Sequence, residues 1–204
     1  MAEAEPGPKR FKSDLPRCPS HRGSAASRAR QNLSAGVEEA LCGVSSLLRD
    51  GAYRLQALAF VFEQGSIALP RLASFFHQQA ERQEAEADAM LAYLAQRGGC
   101  YCARQIKRPG CEAVCAVFPA LELLLLQLRE EVSVLVELSR LAGEHGDPHA
   151  AGLVKRRFLQ PRVQRVKLLG DLLASARRLG CTDQQANGFG EYLLDELQEE
   201  LSSA

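Results

Sequence analysis

Gly99-Cys-Tyr-Cys-Ala-Arg-Gln-Ile-Lys-Arg-Pro-Gly-Cys-Glu-Ala-Val-Cys-Ala116 is a connection of about 18 residues between two pairs of long helices, and its length decides the architecture. On its N-terminal side, Val37, Leu41, Val44, Leu48, Leu55, Leu58 and Phe62 recur at steps of three, four or seven and share one helical face. Leu69, Leu72, Phe76, Ala80, Ala87, Met90 and Leu94 form a second stripe, interrupted by Gln79, Gln83 and Glu86. It stops at Gly98-Gly99, where glycine can take the left-handed cap conformation. On the C-terminal side a third helix carries Leu121, Leu125, Leu128, Val132, Leu135 and Leu138 and ends near Gly143 to Gly146, with Pro119 tolerated in its first turn. The fourth opens at Asp147-Pro148 and runs through Phe158, Leu159, Val166, Leu169 and Leu173 to Gly180. Pro161 should kink it, because its ring removes one helical hydrogen bond. A short fifth helix follows over Phe189 to Leu201. The pattern predicts an all-α protein in which one long crossover joins two antiparallel hairpins, distinct from an up-down-up-down bundle with short loops. Gly43 and Gly51 each weaken the first helix by about 1 kcal/mol relative to alanine, so tertiary packing must hold it.

The 204 residues, 46% hydrophobic, suffice for one domain with a substantial core. Lys+Arg and Asp+Glu both number 25, so no net field recruits nucleic acid or an anionic membrane. No apolar run nears the roughly 20 residues that span a bilayer, and Met1 to Lys12 lack the apolar block of a secretory signal. The expectation is a cytoplasmic protein whose seven cysteines are reduced thiols. Residues 1–29, rich in proline and poor in apolar side chains, read as a disordered arm ahead of a domain over 30–204. Lys9, Arg10, Lys12, Arg17, Arg22 and Arg28 make the arm basic, which leaves a nuclear or organelle address open.

Short motifs add to the periodicity. Arg30-Gln31-Asn32 precedes the first helix, Gln96-Arg97-Gly98-Gly99 ends the second, and Gln105-Ile106-Lys107-Arg108-Pro109 lies in the crossover. Asp147-Pro148-His149 opens the fourth helix, Leu169-Gly170-Asp171 lies within it, and Gly190-Glu191-Tyr192-Leu193 begins the fifth. In this order and spacing they resemble animal ferritin over Arg30 to about Leu197. The resemblance implies a ferritin-like four-helix bundle with a long crossover and a short fifth C-terminal helix. It also implies assembly with itself and/or ferritin heavy chains into a 24-subunit shell that stores iron as a mineral. Neither a tightly bound cofactor, a membrane nor a nucleic-acid partner is expected.

Oxidising Fe(II) with oxygen in such a bundle takes carboxylates from several helices together with Glu-x-x-His motifs, because hard iron prefers oxygen and imidazole donors. Carried onto this chain, the heavy-chain pattern puts its first-helix glutamate and tyrosine on Leu48 and Leu55, and its paired glutamates on Arg82 and Gln83. Its histidine falls on Glu86, its third-helix glutamate on Leu128 and its fourth-helix glutamine on Arg162. Of these only Glu86 is a good iron donor, and one carboxylate cannot hold two irons. Arg162 would put a permanent cation at the metal's position. It either pairs with Glu86, assisted by Gln83, or snorkels to the surface beside Pro161.

The resemblance also implies a mineral-nucleating surface at Ser74, His77, Gln78 and Glu81, with Glu84 and Asp88 nearby; an ordinary solvated helix face is the alternative. Glu81 and Glu86 are therefore the metal candidates, and no catalytic residue is expected. The family's iron-entry acids fall on Gly152 and Lys155. Across 148–179, Lys155, Arg156, Arg157, Arg162, Arg165, Lys167, Arg177 and Arg178 face Asp171 alone, which fits either an anion or nucleic-acid contact or pairing with acidic neighbours in the shell. Cys100-x-Cys102 and Cys111-x-x-x-Cys115 depart from common zinc spacings. The leading expectation is a structural, non-catalytic subunit of an iron-storage shell. A ferritin-fold interaction protein that no longer handles iron and a ferroxidase are the alternatives.

Overall fold

The computed structural model describes residues 15–18, 27–106, 109–111 and 114–178. Ser34 opens α1 (Ala35–Glu63), its hydroxyl accepting from the Val37 N–H at 3.3 Å. α2 (Pro70–Gln96) starts on a proline, where the missing N–H costs nothing. It ends as the glycines foretold: Gly98 takes a φ of 69°, its N–H bonds the Ala95 carbonyl, and the Gly99 N–H reaches Leu94. α3 (Val117–Glu144) closes the same way at Gly146, with the Asp147 N–H bonded to Ala142 at 2.8 Å. The Asp147 carboxylate then caps α4 (Pro148–Leu153), accepting from the Ala150 N–H at 3.0 Å.

A π-helical turn, Val154–Leu159, leads from α4 into α5 (Gln160–Arg178), and the three together form the predicted fourth helix. The kink expected at Pro161 takes the form of this wider turn. The Gln160 N–H reaches back five residues to the Lys155 carbonyl, so the register shifts just before the residue that has no N–H to give. Among the described residues the fold is all helix; the expected fifth helix, Phe189 to Leu201, lies outside them.

α1 packs along α2, α3 packs along the α4–α5 rod, and an α1–α3 contact joins the hairpins. The core divides into two apolar clusters. One gathers Leu55, Phe62, Phe76, Leu121 and Leu128; the other gathers Leu41, Leu48, Met90, Leu135 and Phe158. Between them lies a buried polar layer of Gln83, Gln127, Glu131 and Arg162.

The short motifs meet at one corner. The Arg97 guanidinium donates to both oxygens of buried Asp147, at 3.2 and 2.9 Å, and to the Gln31 and Asn32 carbonyls at 3.0 and 3.1 Å. Asn32 Nδ2 donates to the Gly146 carbonyl at 2.8 Å. The starts of α1 and α4 and the end of α2 are thus fixed by one bidentate ion pair. Nearby, buried Glu38 takes Arg30 at 2.7 Å and the Cys100 N–H at 2.7 Å, which anchors the start of the crossover.

Leu15–Cys18, within the stretch read as an arm, lies against α1: the Cys18 N–H bonds the Glu39 carbonyl at 3.1 Å. Gly43 permits this approach, since a Cβ there would stand 2.0 Å from the Pro16 carbonyl oxygen.

Candidate functional site

The polar layer draws on α1, α2, α3 and α5. Arg162, with no solvent exposure, is its centre. Its Nε donates to Glu131 Oε2 at 2.7 Å, its Nη1 donates to the Phe158 carbonyl at 3.1 Å, and its Nη2 lies 2.6 Å from Glu86 Oε2. The Glu86 contact is ionic without hydrogen-bond alignment, so Nη2 and Oε2 have charge compensation but no directed bond. Glu86 Oε1 accepts from Arg165 at 3.1 Å, so one carboxylate bridges two guanidiniums on α5.

Glu131 is held from its other side by amides. Gln83 Nε2 donates to Glu131 Oε1 at 2.6 Å, and Gln127 Nε2 lies 3.1 Å from the same oxygen and 3.2 Å from Gln83 Oε1. Arg54 of α1 donates to Gln127 Oε1 at 3.4 Å and carries the chain of contacts to Asp50, 3.5 Å away. Gly51 makes room for the amides: a Cβ there would stand 2.2 Å from Gln83 Nε2 and 2.5 Å from Gln127 Nε2. That is why α1 keeps a helix-weakening residue at its middle.

Burial alone would lower the affinity of the Arg162 guanidinium for its proton. The charges of Glu131 and Glu86 outweigh it and hold the group above its usual range, so Arg162 is charged at every physiological pH. A buried ion is tolerated only with such partners, because removing one partner costs about 3–5 kcal/mol.

Of the two expectations for Arg162, the pairing with Glu86 is the one observed. Gln83 serves it indirectly, by bonding Glu131 and not Arg162. Glu131 was not among the residues singled out in the sequence. Leu125 and Val132 of the expected third-helix stripe are only partly buried, whereas the buried face runs Leu121, Leu124, Leu128, Glu131, Leu135 and Leu138. Four consecutive leucines, Leu123 to Leu126, make either phase plausible by hydrophobicity. The signal that separates them is Glu131 itself, three residues after Leu128 and four before Leu135.

Leu48, Leu55 and Leu128 fill their positions with hydrocarbon in the two apolar clusters, and Arg82 is exposed on α2. Of the seven positions that the resemblance assigns to metal, three are apolar, two carry cations, and Glu86 is engaged with Arg162 and Arg165. Glu81 and Glu86 are not brought together. Glu81 lies exposed in a separate recess of about 390 Å³ with Arg49, His77 and Glu84, where His77 pairs with Glu63 at 3.0 Å. The crossover thiols do not converge: Cys111 packs in one apolar cluster and Cys102 against the other.

The basic character of the fourth helix is partly answered by acids on its neighbours. Arg162 takes Glu131 and Glu86, Arg165 takes Glu86, and Arg177 approaches Glu122 at 3.6 Å. Lys155, Arg156 and Arg157 are exposed on the π turn. No helix among the described residues is long and apolar enough to cross a membrane.

Two helical hairpins, a long crossover and a polar centre fed from every long helix define the class as a ferritin-like bundle. A model of the family described as Ferritin, ferritin-like domain, matches residues 40–179. The chain is 31% identical over 172 residues to a ferritin light chain of Bos taurus, covering 84% of this chain and 97% of that one. It is 30% identical over 181 residues to a soma ferritin of Lymnaea stagnalis, covering 88% and 99%. It is 28% identical over 174 residues to an oocyte isoform of ferritin light chain of Xenopus laevis, covering 85% and 97%. The chain belongs to the ferritin family.

Proposed function

We propose that this chain is a structural subunit of a cytoplasmic iron-storage shell and does not itself oxidise Fe(II). The observation that carries this reading is the Arg162 guanidinium, held 2.7 Å from Glu131 and 2.6 Å from Glu86 at the place where the family's oxidising centre would bind metal. A fixed positive charge there repels Fe(II), and the hydrocarbon of Leu48, Leu55 and Leu128 offers no donor. What the subunit contributes is shape: the Arg97–Asp147 corner and the two apolar clusters hold a bundle with the family's outline. Oxidation and iron entry then come from catalytic heavy chains in a mixed shell. Exposed Tyr53, Phe60 and Ile106 give the subunit apolar area for contact with other subunits.

Exposed Lys155, Arg156 and Arg157 favour a second reading, an interaction protein that keeps the fold without handling iron. Expressing the chain alone and together with a ferritin heavy chain, then measuring shell assembly and iron retained per shell, separates the two. Mixed shells that incorporate the chain and retain iron support the storage reading. Exclusion from shells in both preparations overturns it.

A further inference from the structure

We propose that the groove between α2, α3 and α5 binds a free amphipathic anion, a hydrocarbon chain with one carboxylate head. α5 packs on α3, while α2 is reached from α5 by the long side chains of Arg162 and Arg165. Beside that bridge lies a cavity of about 530 Å³ floored by Leu124, Leu128 and Leu169. Small-molecule sites run from about 300 to 1,000 Å³ and are mostly apolar with a few placed polar groups, which is the character of this one. Val163, at 58% exposure, stands on the lip as an apolar side chain with nothing over it among the described residues.

The charge of the lining sets the sign of the ligand. Among the described residues its ionisable side chains are Arg82, which has an interaction of its own, Arg165 and Lys167, with no carboxylate. Arg165 holds only a share of Glu86, whose other oxygen faces Arg162. Lys167 pairs with Asp171 of its own helix at an exposed position, where such a pair is worth little and opens readily. Arg162 has Glu131 as its own second partner, so a carboxylate head at this rim would be met by Arg165 and Lys167, while the hydrocarbon covers the leucine floor. The shape is a recess and not an open face, which fits one free chain and not a bilayer surface. The inference is independent of whether the shell stores iron.

Isothermal titration of the full-length protein with dodecanoate, dodecyltrimethylammonium and phosphatidylglycerol vesicles tests it. Saturable binding of dodecanoate at one per subunit is expected, without binding of the cationic surfactant or the vesicles. Val163→Asp and Lys167→Glu, both at exposed positions, should each weaken dodecanoate by about tenfold with unchanged melting temperature. Arg165→Gln should do so more strongly. No saturable dodecanoate binding, equal affinity for the cation, binding to vesicles, or unchanged affinity in both exposed-site variants would overturn the proposal.

Discussion

Arg162 Nε and Glu131 Oε2 meet 2.7 Å apart in the middle of the bundle, one from α5 and one from α3, at a depth where neither side chain reaches solvent to any useful extent. A pair at such depth separates two kinds of variant. Arg162→Leu leaves Glu131 buried beside Gln83 and Gln127 with no cation and should destabilise the subunit by about 3–5 kcal/mol. Adding Glu131→Leu removes the orphaned charge and should recover most of that loss, since Glu86 still has Arg165 and the two glutamines still bond each other. Urea unfolding of both variants checks this. A double variant as unstable as the single one would show that the pair is not the source of the cost.

Gly51→Ala is a second probe of the same layer. Alanine is the better helix former by about 1 kcal/mol, so an exposed helical glycine would gain from the change. Here the added methyl would meet the Gln83 and Gln127 amides at 2.2 and 2.5 Å, and both are fixed by bonds to Glu131. Displacing them leaves buried donors and acceptors unpaired, so a net loss of about 1–2 kcal/mol is expected in the same unfolding measurement. A stabilised Gly51→Ala protein would mean that the amides move freely.

Cys42 gives a pH-dependent signature. Burial pushes its thiol up to about 11 from an ordinary value of 9.0. The folded state therefore favours the neutral thiol, and the unfolded state ionises first. The group's contribution to stability is complete below pH about 9 and is lost as pH rises through about 11. Peptide mapping after iodoacetamide at pH 8 should find the exposed Cys115 modified and Cys42 protected, with Cys42 reacting as the pH approaches 11. Equal rates at pH 8 would contradict the burial of Cys42.

Helix identity was legible because the apolar steps of three and four are a direct imprint of core-facing sides, and the caps at Gly98, Gly146 and Asp147 are local chemistry. The Arg162–Glu86 contact was legible because a permanent charge on an inward face needs a partner and Glu86 was the acid at hand. Glu131 was not, because the leucine run at Leu123 to Leu126 blurs the phase of α3. The π turn was hidden for a different reason. Pro161 announces a defect in the hydrogen-bond ladder, but whether the backbone bends or widens depends on packing around Phe158, buried in the core. The roles of Gly43 and Gly51 are equally non-local, since they are set by Pro16 and by glutamines on other helices.

The charge layer bears most directly on oxidation. Stopped-flow measurement of Fe(II) oxidation by the chain alone, with Arg162→Gln beside it, is the sharpest test. Both proteins should match the protein-free rate, because removing the guanidinium still leaves Leu48, Leu55 and Leu128 where donors are required. Saturable, oxygen-dependent oxidation by the unmodified chain would contradict the reading of this centre as a charge-balanced replacement for a metal site.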